Sequence, residues 1–307
     1  MSWFFIALGA PFLWALVNIA DQYLVKKTEE TNSPIGSLVI FSSLIGIFVS
    51  IFILIVSKAP FLISFSDATI LFVAGIVNIV WIIFYLYALS YEDVSLVYPW
   101  FLTVPIFAYI LGHIFLGETL TKVQAMGMFI VILGGLLISL EPRELFSGKI
   151  KFKAKASFLM ISAALLIAIQ QIMFKFVTAP DTFWGASFWQ YLGLGFSGVV
   201  IFIFSRNYRN GFLSILKDSG SKILTINIVS ELVTIAGNSL FQFAILLAPV
   251  ALVALMEPVQ SVIVFVLAVV GTVFFPKIIK EDLSRKVLIY KIIAMNIMIF
   301  GSILILL

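Results

Sequence analysis

Polar residues recur at helical spacing within an apolar stretch in the second half of the chain. Asn227, Glu231, Thr234 and Asn238 are separated by four, three and four positions, and Gln242 follows four positions later. This spacing places them on one face of an α-helix. Glu231 can take up and release a proton or meet a cationic group of a solute, with the amides as its hydrogen-bonding wall. Alternatively, this face is a hydrogen-bonded seam that only packs helices together.

A second set of polar residues lies near the start of each half of the chain. Trp14 and Asn18 are four positions apart, and Gln171 holds the place of Asn18 in the second half. Polar side chains at membrane depth are costly and commonly face the interior of a bundle. We therefore expect Trp14, Asn18 and Gln171 to contribute to a solute site.

Aromatic residues accompany a polar one in the third apolar stretch. Asn78, Trp81 and Tyr85 fall on one helical face, and Tyr98 follows after the next turn. The face of an aromatic ring attracts cations, so these residues can line a pocket for an amphiphilic or cationic solute. Core packing, or a belt at the membrane interface, is the alternative interpretation.

A glutamate directly precedes a proline in the ninth apolar stretch. Proline at position 258 cannot donate a backbone hydrogen bond, which frees a carbonyl near Ala254 and bends the helix. Discontinuous helices commonly border the sites of transporters. Glu257 is thus a second candidate proton carrier, with hydrogen bonding to the loosened backbone as the alternative.

The composition around these residues excludes a soluble protein. Of 307 residues, 62% are hydrophobic and 11% are charged, and the mean hydropathy is +1.18. Soluble domains are roughly 45–50% apolar and about 25% charged. The absence of cysteine and the single histidine exclude thiolate and histidine metal sites, and no ATP-binding, metalloprotease or hydrolase motif is present. We expect no enzymatic activity, no cofactor and no nucleic-acid binding.

Long apolar stretches divide the chain into regular units. About 20 apolar residues suffice to cross a bilayer as a helix, and these stretches are too long and continuous for barrel strands. We predict an all-α membrane protein with ten transmembrane helices, five in residues 1–145 and five in 146–307. The predicted spans are 3–24, 35–57, 68–89, 95–116, 122–140, 155–177, 183–204, 222–247, 250–275 and 287–307.

The two halves carry similar motifs in the same order. An odd number of spans in each half makes the halves antiparallel, as in the inverted repeats of secondary transporters. The matched motifs are Tyr87-Ala88-Leu89 with Phe243-Ala244-Ile245, Pro105 with Pro258, and Gly127-x6-Gly134 with Ala294-x6-Gly301.

This pattern resembles the EamA-type transporters of the drug/metabolite transporter superfamily. The most specific pieces are Pro105 followed by Gly117-Glu118, and Glu257-Pro258 in the second half. The second half departs from the pattern at Gly271, where Thr272 stands in place of a glutamate. The resemblance implies a permease or exporter of small metabolites such as amino acids or related amphiphilic solutes, by alternating access. The alternative is a membrane-embedded lipid-handling protein or enzyme that uses the same intramembrane cavity.

The charge distribution predicts an orientation. Most basic residues follow the first, fifth, seventh and ninth spans, so the positive-inside rule places those loops in the cytoplasm and both termini outside. The family resemblance implies cytoplasmic termini instead. We expect a monomer in the cytoplasmic membrane, with a small solute and protons as its ligands and the lipid bilayer as its surroundings.

Overall fold

The structure is a computed structural model that describes residues 2–30, 36–57, 59–89, 91, 97–139, 154–218, 220–274 and 284–307. Regular structure in these ranges is helical, with short 3₁₀ turns at Ala59–Leu62, Tyr98–Thr103 and Pro180–Thr182. The helices are α1 Ser2–Glu30, α2 Gly36–Val56, α3 Phe65–Leu89, α4 Val104–Leu116, α5 Lys122–Ser139, α6 Ala154–Val177, α7 Phe183–Phe204, α8 Arg206–Asp218, α9 Gly220–Leu247, α10 Val250–Ala254, α11 Glu257–Phe274 and α12 Arg285–Leu306.

The expected all-helical membrane architecture is confirmed, whereas the count of ten spans stays a prediction. Seven helical segments of the described chain are long and apolar enough to cross a membrane. Three further apolar segments are shorter, at Ser2–Val17, Trp100–Leu116 and Lys122–Leu137.

Helix packing pairs each half of the chain with the other. Helix α1 packs along α9 as α3 packs along α6, while α2 packs on α7 and α5 on α12. Helix α9 also contacts α6, α8 and α10 of its own half. The predicted boundary between the halves, at residues 145 and 146, lies outside the described residues.

Small residues hold α5 and α12 close together. A Cβ atom on Gly127 would lie 2.8 Å from the carbonyl oxygen of Gly301, and one on Gly134 would lie 3.1 Å from that of Ala294. The two helices therefore run antiparallel, with the two matched motifs in direct contact. Two repeats of opposite orientation would bring their last helices together in this antiparallel way, through equivalent positions.

The tightest crossing of helices joins α3 to α7. A Cβ atom on Gly75 would lie 2.0 Å from the carbonyl oxygen of Gln190, and one on Gly193 would lie 2.0 Å from that of Phe72. No side chain fits at either place, so backbone meets backbone. This contact fixes the relative position of a helix from each half.

The ninth predicted span is interrupted where the sequence predicts a bend. Helix α10 ends at Ala254 and α11 begins at Glu257, with a tight turn in which the amide of Met256 donates to the carbonyl of Val253 at 2.9 Å. Proline at position 258 fits the first turn of a new helix, where its missing donor is not needed. The discontinuity is confirmed.

One predicted connection is itself helical. The connection between the predicted spans 183–204 and 222–247 contains α8, a helix of 13 residues between α7 and α9. Helix α8 is amphipathic and lacks the long apolar run that predicts a membrane span.

Candidate functional site

The polar face of α9 contacts α1 through a tryptophan. The indole nitrogen Nε1 of Trp14 donates to Oδ1 of Asn238 at 3.0 Å, and the Trp14 ring lies 5.5 Å from that of Phe241. Gly237 makes this approach possible, since a Cβ atom there would lie 2.8 Å from the indole nitrogen. Two predicted site residues, Trp14 and Asn238, are thus direct neighbours.

The same face meets α7 through a pair of glutamines. Nε2 of Gln242 donates to Oε1 of Gln190 at 2.8 Å, and both side chains are buried. Oε1 of Gln242 has no hydrogen-bond partner among the described residues. A buried acceptor without a donor is costly, so this oxygen is suited to receive a hydrogen bond from a bound solute. Asn227, further along α9, is also buried.

Glu231 connects α9 to α2. The hydroxyl Oγ of Ser42 donates to Oε1 of Glu231, and the Glu231 side chain is half-buried. This contact joins α9 to α2 through the side chain of Glu231.

The second candidate acid faces α6. Nε2 of Gln171 donates to Oε1 of Glu257 at 3.4 Å, while Oε1 of Gln171 is buried without a hydrogen-bond partner in the described structure. Glu257 is the first residue of α11. The sequence leaves open whether Glu257 carries a proton or bonds the loosened backbone, and its observed hydrogen bond is to the side chain of Gln171.

The aromatic residues of α3 form a cluster with the turn before α4. Nε1 of Trp81 donates to Oδ1 of Asn78 at 2.6 Å, one helical turn away. The ring of Phe101 lies edge-on to Trp81 at 6.4 Å and 5.3 Å from Tyr85. Asn78 thus orients the indole of Trp81 within a packed aromatic group. The side chains of Asn18 and Tyr98 lie outside the described residues.

A separate ionic cluster lies at the other end of α6. Nζ of Lys175 lies 2.5 Å from Oε1 of Glu118 and donates to the carbonyl of Ala248 at 2.6 Å. Gly117, in a left-handed conformation with φ of 65°, ends α4 and turns Glu118 toward this position. A carboxylate and a backbone carbonyl therefore hold the ammonium group of Lys175.

Sequence reasoning missed three partners of the predicted residues. Ser42, Gln190 and Phe101 contact Glu231, Gln242 and the α3 aromatics respectively. Ser42 stands in a highly apolar helix, where an isolated hydroxyl more often bonds its own backbone. Gln190 carries a weak signal as a mid-span amide between Trp189 and Tyr191. Phe101 carries no signal that distinguishes it from other apolar residues.

The first half of the chain matches a known protein family. Residues 1–140 match the EamA-like transporter family, which belongs to the drug/metabolite transporter superfamily. The resemblance seen in the sequence is therefore confirmed over this range. The family match indicates a membrane transporter of the drug/metabolite type.

Outside the family match, the chain is similar to known proteins in fold. No curated protein matches the sequence significantly. One crystal structure of a protein is similar to this chain with a TM-score of 0.70 at 16% sequence identity, and the similarity covers 99% of this chain and 96% of that one. At this identity the likeness shows the fold alone, and it extends over both halves of the chain.

Proposed function

We propose that this protein is a secondary transporter that moves small amphiphilic solutes bearing a positive group, such as amino acids or amines, across the cytoplasmic membrane. Alternating access of a central site would be coupled to protons or to exchange. The observation that carries the proposal is Glu231, a carboxyl that lies on the polar face of a membrane helix among amide side chains and accepts a hydrogen bond from Ser42.

The position of Glu231 supports a coupling in which a proton and a positively charged solute compete for the same carboxylate. An ionisable group at membrane depth costs about 2.5–3.5 kcal/mol on insertion scales, so its retention calls for a function. The negative form of Glu231 attracts a cation, and a proton abolishes that attraction. A proton and the positive group of a solute would therefore exclude each other at one carboxylate.

The other candidate site residues support a class of solute. Amide groups of Asn238, Gln242 and Gln171 offer hydrogen bonds, and Trp14 and Trp81 offer ring faces suited to a cationic group. The carboxylates of Glu231 and Glu257 would repel a doubly negative solute such as a phosphate ester, which favours a cation or a zwitterion.

The remaining features of the proposal follow from the sequence. The loops rich in lysine and arginine would lie in the cytoplasm and both termini outside, with each polypeptide acting as a monomer. The two five-helix halves would rock against each other around the site. The reciprocal contacts of α5 with α12 support this division.

Ligand-induced thermal stabilisation of the purified protein tests the proposal. The panel would contain zwitterionic amino acids, organic amines and, as anionic controls, nucleotide sugars. A ligand at 100 times its dissociation constant stabilises the folded state by about 2.7 kcal/mol, which a melting assay detects. We expect hits among cations or zwitterions that are weakened by Glu231→Gln. Stabilisation by nucleotide sugars alone would contradict the proposed solute class.

A further inference from the structure

Helix α8 presents an exposed face that combines basic and apolar side chains. At 100° per residue, the positions of Arg206, Arg209, Leu213, Leu216 and Lys217 fall within an arc of about 100°. Leu213 and Leu216 are 38% and 43% exposed, and Arg206 and Lys217 are exposed as well. This mixture is unlike the purely apolar faces of the spans.

The opposite face of α8 is fixed to the membrane domain. The Phe212 ring is buried, 6.4 Å from that of Phe41 on α2 and 6.0 Å from that of Phe202 on α7. The hydroxyl of Tyr208 lies 2.7 Å from that of Tyr87 at the end of α3. Three helices therefore hold α8 in one rotational setting, which determines the face that it exposes.

The position of α8 along the membrane normal is set by its neighbours. It follows directly after the last turn of α7, where Ile203 and Phe204 are 55% and 81% exposed as expected for lipid-facing residues. Arg209 remains close to this turn, with Nη1 3.5 Å from the carbonyl oxygen of Ile203 and its guanidinium 6.0 Å from the ring of Phe202. Helix α8 thus begins where the apolar span ends.

We propose that this exposed face of α8 is a binding surface for anionic phospholipid headgroups. Leucines in the acyl boundary and basic groups at phosphate level are the arrangement that interfacial helices use. Arg206 and Lys217 form no ion pair within the described part of the chain, so their charge is available to a phosphate. The orientation expected from the charge distribution puts this end in the cytoplasm, where anionic lipids are enriched.

Hydrogen exchange of the full-length protein in nanodiscs tests the proposal. The comparison is between discs of phosphatidylcholine alone and discs with about a third of phosphatidylglycerol. Since each basic residue near an anionic surface contributes about a fivefold gain in binding, we expect Arg206 and Lys217 together to slow the exchange of α8 amides roughly 25-fold in the anionic discs. The difference should vanish at 0.5 M salt, where charges at a surface are screened.

Two double variants distinguish lipid binding at this face of α8 from a general effect of positive charge at this end of the protein. Arg206→Gln with Lys217→Gln should abolish the protection of α8, whereas Arg285→Gln with Lys286→Gln removes two exposed charges at the same end of the bundle and should preserve it. Arg209 is left unchanged because of its contact with α7. Equal protection of α8 in both kinds of disc, or loss in both double variants alike, would overturn the proposal.

A soluble anion is distinguished from a lipid in the same assay. Inorganic phosphate or glycerophosphoglycerol added to phosphatidylcholine discs should leave the exchange of α8 unchanged. Protection by either soluble compound would show a site for free phosphate compounds and would overturn the assignment to lipid.

Discussion

Glu118 bridges Lys175 at the end of α6 and the backbone amide of Val250 at the start of α10. Its Oε1 lies 2.5 Å from the lysine Nζ, and its Oε2 accepts from the Val250 amide at 2.9 Å. Gly112 leaves room for the carboxylate, since a Cβ atom there would lie 2.7 Å from Oε2. One side chain from the first half thus fastens two helices of the second.

Removing the charge of Glu118 should destabilise the protein. With Glu118→Gln, the ammonium of Lys175 remains in place at 19% side-chain exposure without its counter-charge. We expect the free energy of unfolding to fall by about 2 kcal/mol, below the figure for fully buried pairs because water still reaches the lysine. The melting temperature in detergent measures the change. Adding Lys175→Met should recover part of the loss, and an unaltered melting temperature in Glu118→Gln would contradict this role.

The crossing of α3 and α7 should not tolerate a side chain. In Gly193→Ala, the added Cβ atom would lie 2.0 Å from the carbonyl oxygen of Phe72, so the helices must separate. We expect a loss of about 1–3 kcal/mol of stability, typical of overpacking. Gly9→Ala is the matched control, because its new Cβ atom meets only Cδ1 of Leu240, which can rotate away. Comparable melting temperatures for the two variants would count against a tight crossing.

The indole donor of Trp14 should contribute to stability separately from its ring. Trp14→Phe keeps a ring near Phe241 but removes the hydrogen bond to Asn238, which typically costs about 1 kcal/mol. Trp14→Ala also removes the packing, and aromatic truncations in cores cost about 3–5 kcal/mol. Denaturation curves of both variants measure the two contributions. If Trp14→Phe were as destabilised as Trp14→Ala, the ring packing would contribute nothing measurable, and the prediction of two separate contributions would be contradicted.

The sequence predicts helices well and their contacts poorly. Spans such as α6 and α7 follow directly from continuous apolar runs, and the polar face of α9 follows from its spacing. Helix α8 was missed because its apolar residues are few and alternate with charged ones. The contact of Ser42 with Glu231 joins residues 189 positions apart, and no local sequence pattern indicates it.

A solute-driven proton flux tests the central role of Glu231 most directly. The full-length protein would be reconstituted in vesicles containing a pH-sensitive dye, and a downhill gradient of each amino acid or amine from the binding panel would be imposed. We expect at least one cation or zwitterion to drive proton movement, with Glu231→Gln abolishing it while the folded protein persists. Glu257→Gln is measured beside it to assign the second carboxyl. Undiminished proton movement in Glu231→Gln would contradict coupling through this residue.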